Sequence, residues 1–173
     1  MVMKRRLTKS HAHVFLWGMS IFSLFMGTVV SEAATYYVAT SGSDSAAGTL
    51  AQPFGTIAKG LTSLRAGDTL YIRAGTYSER IDSNKQIIPT GTSWGDAPII
   101  AGYPGETVTL RGTFGSSGTD GIINLAANYI QYVEFRNLIL DQAYQNASLG
   151  GSANHVKFTN VTLSNGWHQC MQT

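Results

Sequence analysis

Five polar side chains recur at related places in a chain that repeats itself: Asn124, Gln145, Asn146, His168 and Gln172, with Tyr144 and Trp167 flanking them. Side-chain amides donate and accept, so they can meet hydroxyl groups from either side, and an indole or phenol ring offers an apolar face. Together such groups suit sugar hydroxyls and sugar faces. Asn124, Gln145, Asn146, Trp167 and His168 are therefore the candidate substrate-binding residues. His168 has the chemistry of a general base or a donor, but no orienting carboxylate is visible for it, which is the pattern of ordinary polar surface. The plain alternative for the whole set is the solvated outward side of a repeat sheet.

Other residues capable of chemistry have ordinary readings as well. Lys157 and Arg136 could pair with a carboxylate, yet both fall on outward positions of a strand, where charge is simply solvated. Asp141 lies at a bend, and a Ca²⁺ role would need several more oxygen ligands converging on it. Asp44 and Asp120 sit in Gly/Ser loops and read as turn formers. Arg73 and Glu79 read as a surface pair. Asn146-Ala147-Ser148 and Asn160-Val161-Thr162 fit the glycosylation pattern, the second being better explained by its place in the repeat. No carboxylate pair of the kind glycoside hydrolysis needs is visible. Cys170 is the single cysteine, so no internal disulfide can form, and it reads as a core residue.

These residues must be held by strands. Tyr132-Val133-Glu134-Phe135-Arg136-Asn137-Leu138-Ile139-Leu140-Asp141 matches His155-Val156-Lys157-Phe158-Thr159-Asn160-Val161-Thr162-Leu163-Ser164 at an offset of 23 residues. A period in this range marks a solenoid. Val133 and Phe135 alternate to one side, as do Val156 and Phe158. Asn137 and Asn160 then make a bend, since Asn tolerates a left-handed backbone. Stacked coils place Val on Val, Phe on Phe, Leu on Leu and Asn on Asn, and only neighbouring coils can bury these faces. Each coil has room for three short strands. The register predicts strands at 121–126, 129–135 and 138–141, then 145–149, 155–158 and 161–164, with a further coil beginning at His168.

Upstream, Thr35–Thr40 is a strand, and Phe54, Ile57, Ala58, Leu61 and Leu64 lie on one face of a helix expected over 54–65. Thr69–Arg73, Gln86–Ile88, Pro98–Ala101 and Val108–Gly112 read as strands, and Ala74–Tyr77 as a turn. The helix can close the N-terminal end of the stack. The last residues look like mid-sheet, so the chain is expected to be the N-terminal part of a longer protein.

The bulk numbers agree. Of 173 residues, 13 % are charged and 43 % hydrophobic, with 19 Gly, which excludes both a disordered chain and a charge-rich helical bundle. The formal charge of +2 owes its sign to Lys4, Arg5, Arg6 and Lys9; from Thr35 onward acids outnumber bases by one, and no basic stripe exists for nucleic acid. Residues 1–34 read as a secretory leader, with a basic start, an apolar run over Val14–Val30 and small residues up to Ala33-Ala34. The domain is thus residues 35–173, exported, with no membrane contact once the leader is cleaved.

Several segments together carry a family resemblance. They are the opening strand, the Gly/Ser/Asp loop, Pro53-Phe54 before the helix, Ala66-Gly67-Asp68-Thr69-Leu70-Tyr71-Ile72-Arg73-Ala74-Gly75-Thr76-Tyr77, and Ala97-Pro98-Ile99-Ile100-Ala101-Gly102-Tyr103-Pro104-Gly105-Glu106 followed by Val108–Gly112. The succession resembles the N-terminal part of secreted pectate-lyase-like proteins, including the alginate lyase and chondroitinase B group. The fold this implies is all-β: a right-handed parallel β-helix with a short N-terminal capping helix. The implied activity is polysaccharide lysis, in which a Lys or Arg removes the proton beside a uronate carboxylate of an acidic polysaccharide. The resemblance also implies Ca²⁺ held by acidic residues on later coils. No catalytic residue of the family can be matched here, so these residues alone are expected to be inactive, to need no cofactor and to be monomeric. The alternative is a glycan-binding or adhesive β-helix with no catalysis.

Overall fold

The computed structural model describes residues 32–112, 121–126, 129–150 and 153–166. Each strand pairing among them is parallel. A parallel pair needs a long connection, and here that connection is the remainder of a coil. Thr69 lies opposite Ile99 after 30 residues, Ile99 opposite Glu134 after 35, and Gln131 opposite Asn154 after 23.

Three walls result. The first holds β1 (Thr35–Val38), β2 (Thr69–Ile72), β5 (Ile99–Gly102) and the leading halves of β8 (Gln131–Asp141) and β10 (Asn154–Ser164). The second holds β3 (Gly75–Tyr77), β6 (Val108–Arg111) and the trailing halves of β8 and β10. The third holds β4 (Ile81–Asp82), β7 (Gly121–Leu125) and β9 (Gln145–Leu149).

The bends explain how β8 and β10 serve two walls. Asn137 and Asn160, at the middle of each strand, both have φ of 52°. Asn reaches this left-handed region more readily than most residues because its short side chain can bond locally. The two side chains also bond to each other, Asn160 Nδ2 donating to Asn137 Oδ1 at 2.9 Å. The same 23-residue step links two further left-handed pairs, Tyr132 with His155 and Gln142 with Asn165. Where Gly102 passes this bend, a Cβ would lie 2.2 Å from the Asn137 carbonyl oxygen, so only glycine fits.

Like side chains stack on like, as the repeat predicts. Val156 faces Val133, Phe158 faces Phe135 and Leu163 faces Leu140 across the β8–β10 ladder. The two phenyl rings are stacked with centroids 5.3 Å apart. Val133, Phe135, Leu138 and Leu140 are buried, each contributing roughly 1.5–3 kcal/mol of apolar burial.

Helix α1 spans Ile57–Ser63, shorter than expected at both ends. At its start, Phe54 is committed to the first wall, its N–H donating to the Tyr37 carbonyl and its carbonyl accepting from Ala39 N–H. Thr56 caps the helix by accepting from Lys59 N–H at 3.1 Å, and Ile57 and Leu61 face the core. At its far end Leu64 turns extended, and the buried Asp68 carboxylate takes Arg65 N–H and Ala34 N–H.

Four expectations need correction. Gly75–Tyr77 is a strand, β3, because the segment docks beside Val108–Leu110. Gln86–Ile88 is not a strand: Lys85 and Gln86 both donate to the Asp82 carbonyl, which curls the chain there and leaves Ile87 exposed, while the ladder position goes to β4. Arg73 pairs not with Glu79 but with Glu106, on the next coil, its Nε donating at 2.9 Å. Glu79 instead accepts from the first helical N–H groups, those of Ile57 and Ala58. Asp44 is more than a turn former, since its carboxylate accepts from Gly55 N–H, Thr56 N–H and the Thr56 hydroxyl.

Candidate functional site

The third wall carries three of the residues picked out by sequence, Asn124, Gln145 and Asn146. Pairing puts Asn124 beside Ser148 and Asp82, and Gln145 beside Gly121. Strand alternation sets Asn124 and Asn146 on the side opposite Ile123 and Ala147. The structure therefore brings Asn124, Gln145 and Asn146 onto one wall. It does not leave them equally open, however. Asn124 is 5 % exposed and Asn146 3 %, whereas Gln145 is partly exposed.

The enclosure of the two asparagines, expected at outward solvated places, has local causes. The Asn124 Oδ1 accepts from Ala126 N–H at 3.1 Å, so part of its capacity secures its own bend. Asn146 is covered by the next coil: a Cβ on Gly166 would come 2.8 Å from its Nδ2. Its Oδ1 is a buried acceptor without a hydrogen-bond partner among the described residues. Tyr144 is half-buried at the bend before β9. Trp167, His168, Cys170 and Gln172 lie outside the described residues, as does Asp120.

The first wall holds a charged group that the sequence reading dismissed as solvated surface. Glu134 and Arg136 sit two apart on one strand face, and β10 lays Lys157 directly opposite Glu134 and Thr159 opposite Arg136. Arg136 Nη2 and the Thr159 hydroxyl both donate to the Glu134 carboxylate at 2.6 Å, and Lys157 Nζ lies 3.5 Å from it. Glu134 is 4 % exposed. Donation from Arg136, more than the opposing burial, pulls its carboxyl down to about 2. The Arg136 guanidinium is raised in turn by the same contact. The signal was present in the 23-residue repeat, whose alignment already matched Lys157 to Glu134.

Beside this group stands an aromatic corner. Tyr132 and His155 stack with centroids 4.3 Å apart, and Trp94 meets Tyr132 edge-on at 5.5 Å. Further along the wall, Tyr37, Tyr71 and Tyr103 form a second ring cluster, with the Arg73 guanidinium 4.7 Å from the Tyr103 ring.

Asp141, at the bend leaving the second wall, does not suit Ca²⁺. Its carboxylate accepts from the Ser164 hydroxyl and Asn165 Nδ2, both at 2.8 Å, and from Arg111 Nε. Those donors, chiefly the Asn165 and Ser164 side chains, lower its pKa. Ca²⁺ takes six to eight oxygen ligands, whereas donors surround this carboxylate. Among the described residues no group of three or more His, Cys, Asp or Glu side chains could hold a metal ion.

Comparison with known proteins agrees with the coil geometry. A family model described as "Pel9A-like, right handed beta helix region" matches residues 36–173. Pectate lyase PEL9 of Emericella nidulans is 42 % identical over 81 residues, which are 46 % of this chain and 19 % of that protein. The chain thus spans about a fifth of the length of that curated relative. A solved rhamnogalacturonan lyase superposes with a TM-score of 0.50 at 21 % identity, covering 78 % of this chain and 36 % of its own, a likeness of fold. A structure of XylC with xylose is 34 % identical over 44 % of this chain and 11 % of its own, with a TM-score of 0.41. With most of its length matched and its strands wound into parallel coils, the chain belongs to the Pel9A-like right-handed β-helix family.

Proposed function

We propose that this chain is part of an exported polysaccharide lyase that cleaves an acidic glycan by β-elimination. The observation that carries the reading is the family match over residues 36–173, joined to a pectate lyase at 42 % identity. The leader-like residues 1–34 support export, and among the described residues no helix is long and apolar enough to cross a membrane.

In such a reaction a base takes the proton beside the uronate carboxylate, the glycosidic oxygen leaves, and the new sugar end is unsaturated. Of the cations on the described coils, Arg136 and Lys157 are turned to Glu134, and Arg73 to Glu106. The part of these coils is to cap and register the solenoid and to carry Asn124, Gln145 and Asn146 on its third wall. A Ca²⁺ requirement, if the whole protein has one, falls to residues other than Asp141.

The test is to incubate the protein, as its gene encodes it, with polygalacturonate, rhamnogalacturonan and a neutral glucan. Release of products with ultraviolet-absorbing unsaturated ends from an acidic polymer, and none from the glucan, is expected. Reducing ends released without unsaturation would overturn the reading in favour of hydrolysis.

A further inference from the structure

The aromatic corner of the first wall has a composition that the fold alone does not require. Three bends in the β8 coil take a left-handed backbone, at Tyr132, Asn137 and Gln142, and the β10 coil repeats them at His155, Asn160 and Asn165. Asn suits that conformation. Tyr suits it less, because a bulky side chain crowds the following carbonyl, whereas His is found there more often than most residues. At this bend the chain therefore keeps a ring on both coils, at Tyr132 against backbone preference. A backbone outlier of this sort is a reason to look for function at the place where it occurs.

What the bend achieves is a presented surface. The Tyr132 and His155 rings lie nearly parallel, 18° apart. Trp94 stands against both and remains 49 % exposed. Its loop is fixed, not slack: the Asp96 carboxylate accepts from the N–H and hydroxyl groups of Thr92 and Ser93. The Lys157 ammonium lies 6.0 Å from the Trp94 ring. Glu134 is already bonded to Arg136 and Thr159, so two cations share one carboxylate and the group keeps a positive excess of one.

We propose that the corner made by Trp94, Tyr132, His155 and Lys157 is a binding platform for a uronate-bearing polysaccharide chain, separate from the third-wall residues. Sugar rings stack on exposed aromatic faces, and Lys157 meets a uronate carboxylate. Rings without the cation would suit a neutral glycan. The cation without the rings would suit any polyanion. Single-stranded nucleic acid also stacks and carries charge, but it is held by a positively charged groove, and from Thr35 onward this chain has an excess of one acid. The proposal concerns binding and does not rest on cleavage.

The test is affinity electrophoresis of the full chain through gels holding polygalacturonate, a fully methyl-esterified pectin, polyglutamate or single-stranded DNA. Retardation by polygalacturonate above the other three is expected. Trp94→Ala and Lys157→Gln should each weaken that binding by roughly two- to fivefold, in the range of an exposed cation–ring contact. Trp94→Phe and Lys157→Arg, which keep the ring and the charge, should retain most of it, with circular dichroism unchanged in all four. The proposal is overturned if the unaltered chain is not retarded, if Trp94→Ala and Lys157→Gln bind like it, or if polyglutamate or DNA retards it equally. Loss of binding in Gln145→Ala but not in Trp94→Ala would also overturn it, by moving the glycan to the third wall. Because the readout is binding, a failed lyase assay does not bear on it.

Discussion

Removing the charge at Glu134 tests whether the first-wall group is an organised ion cluster or incidental surface. The carboxyl sits at about 2 in place of 4.5, which corresponds to about 3 kcal/mol favouring the ionised form in the folded chain. That figure is an upper bound, since the Arg136 and Lys157 side chains are 40 % and 53 % exposed, and water screening brings the net contribution to about 1–2 kcal/mol. The sign follows from the lowered pKa. Glu134 stabilises the fold fully above its unfolded value near 4.5, and the contribution drains away as pH falls toward 2. Glu134→Gln keeps the shape and can still accept from Thr159. In urea unfolding it should be less stable than the unaltered chain by about 1–2 kcal/mol at neutral pH. The gap should narrow below pH 4.5 and close near pH 2. A gap that stays constant over that range, or no gap at neutral pH, would refute the argument that charge holds the cluster.

Three further outcomes follow from the stacking. Phe135→Ala removes a fully buried ring stacked on Phe158, and chemical denaturation should show a loss of about 3–5 kcal/mol. Asn137→Gly keeps the left-handed bend and loses only the bond from Asn160, costing about 1 kcal/mol, whereas Asn137→Ala also strains the backbone and should cost about 1–2 kcal/mol more. A Tm series in which Ala and Gly are equal would show that the bend conformation contributes nothing. Gly102→Ala forces a methyl against the Asn137 carbonyl, and should lower stability by about 1–3 kcal/mol or prevent folding, read by circular dichroism.

The coil was legible where neighbouring turns are equal in length. Between β8 and β10 the step is 23 residues with like side chains at like places, so period, inward faces and the Asn bend could all be read directly. Earlier steps of 30 and 35 residues carry insertions, and there no period is visible in the sequence. Gln86–Ile88 has the composition of a strand, yet a turn closes there on the Asp82 carbonyl, and the strands are β3 and β4. A two-residue strand such as β4 has no periodicity of its own; it exists because β7 supplies the ladder. Helix α1 shows the same competition, since Phe54 lies on the helical stripe by spacing but gives its backbone to β1.

Site residues are harder to read than coils, because alternation tells which side of a wall a residue faces but not what covers that side. Asn124 and Asn146 are on the side opposite Ile123 and Ala147, yet both are nearly enclosed. Lys157 and Arg136 are on the outward side as expected, and their significance lies in a third residue that draws them together. The bends add a second kind of blindness. A left-handed residue can be anticipated when it is Asn, since composition and conformation agree, but Tyr132 occupies the same geometry with a residue that argues against it. Only the 23-residue step from Asn137 to Asn160, carried back five places, reveals that the ring pair is a bend as well. Where local preference and required geometry disagree, as at Tyr132, the side chain itself is what the arrangement retains, and here its ring stacks on His155 beside Trp94, over which the Lys157 ammonium lies.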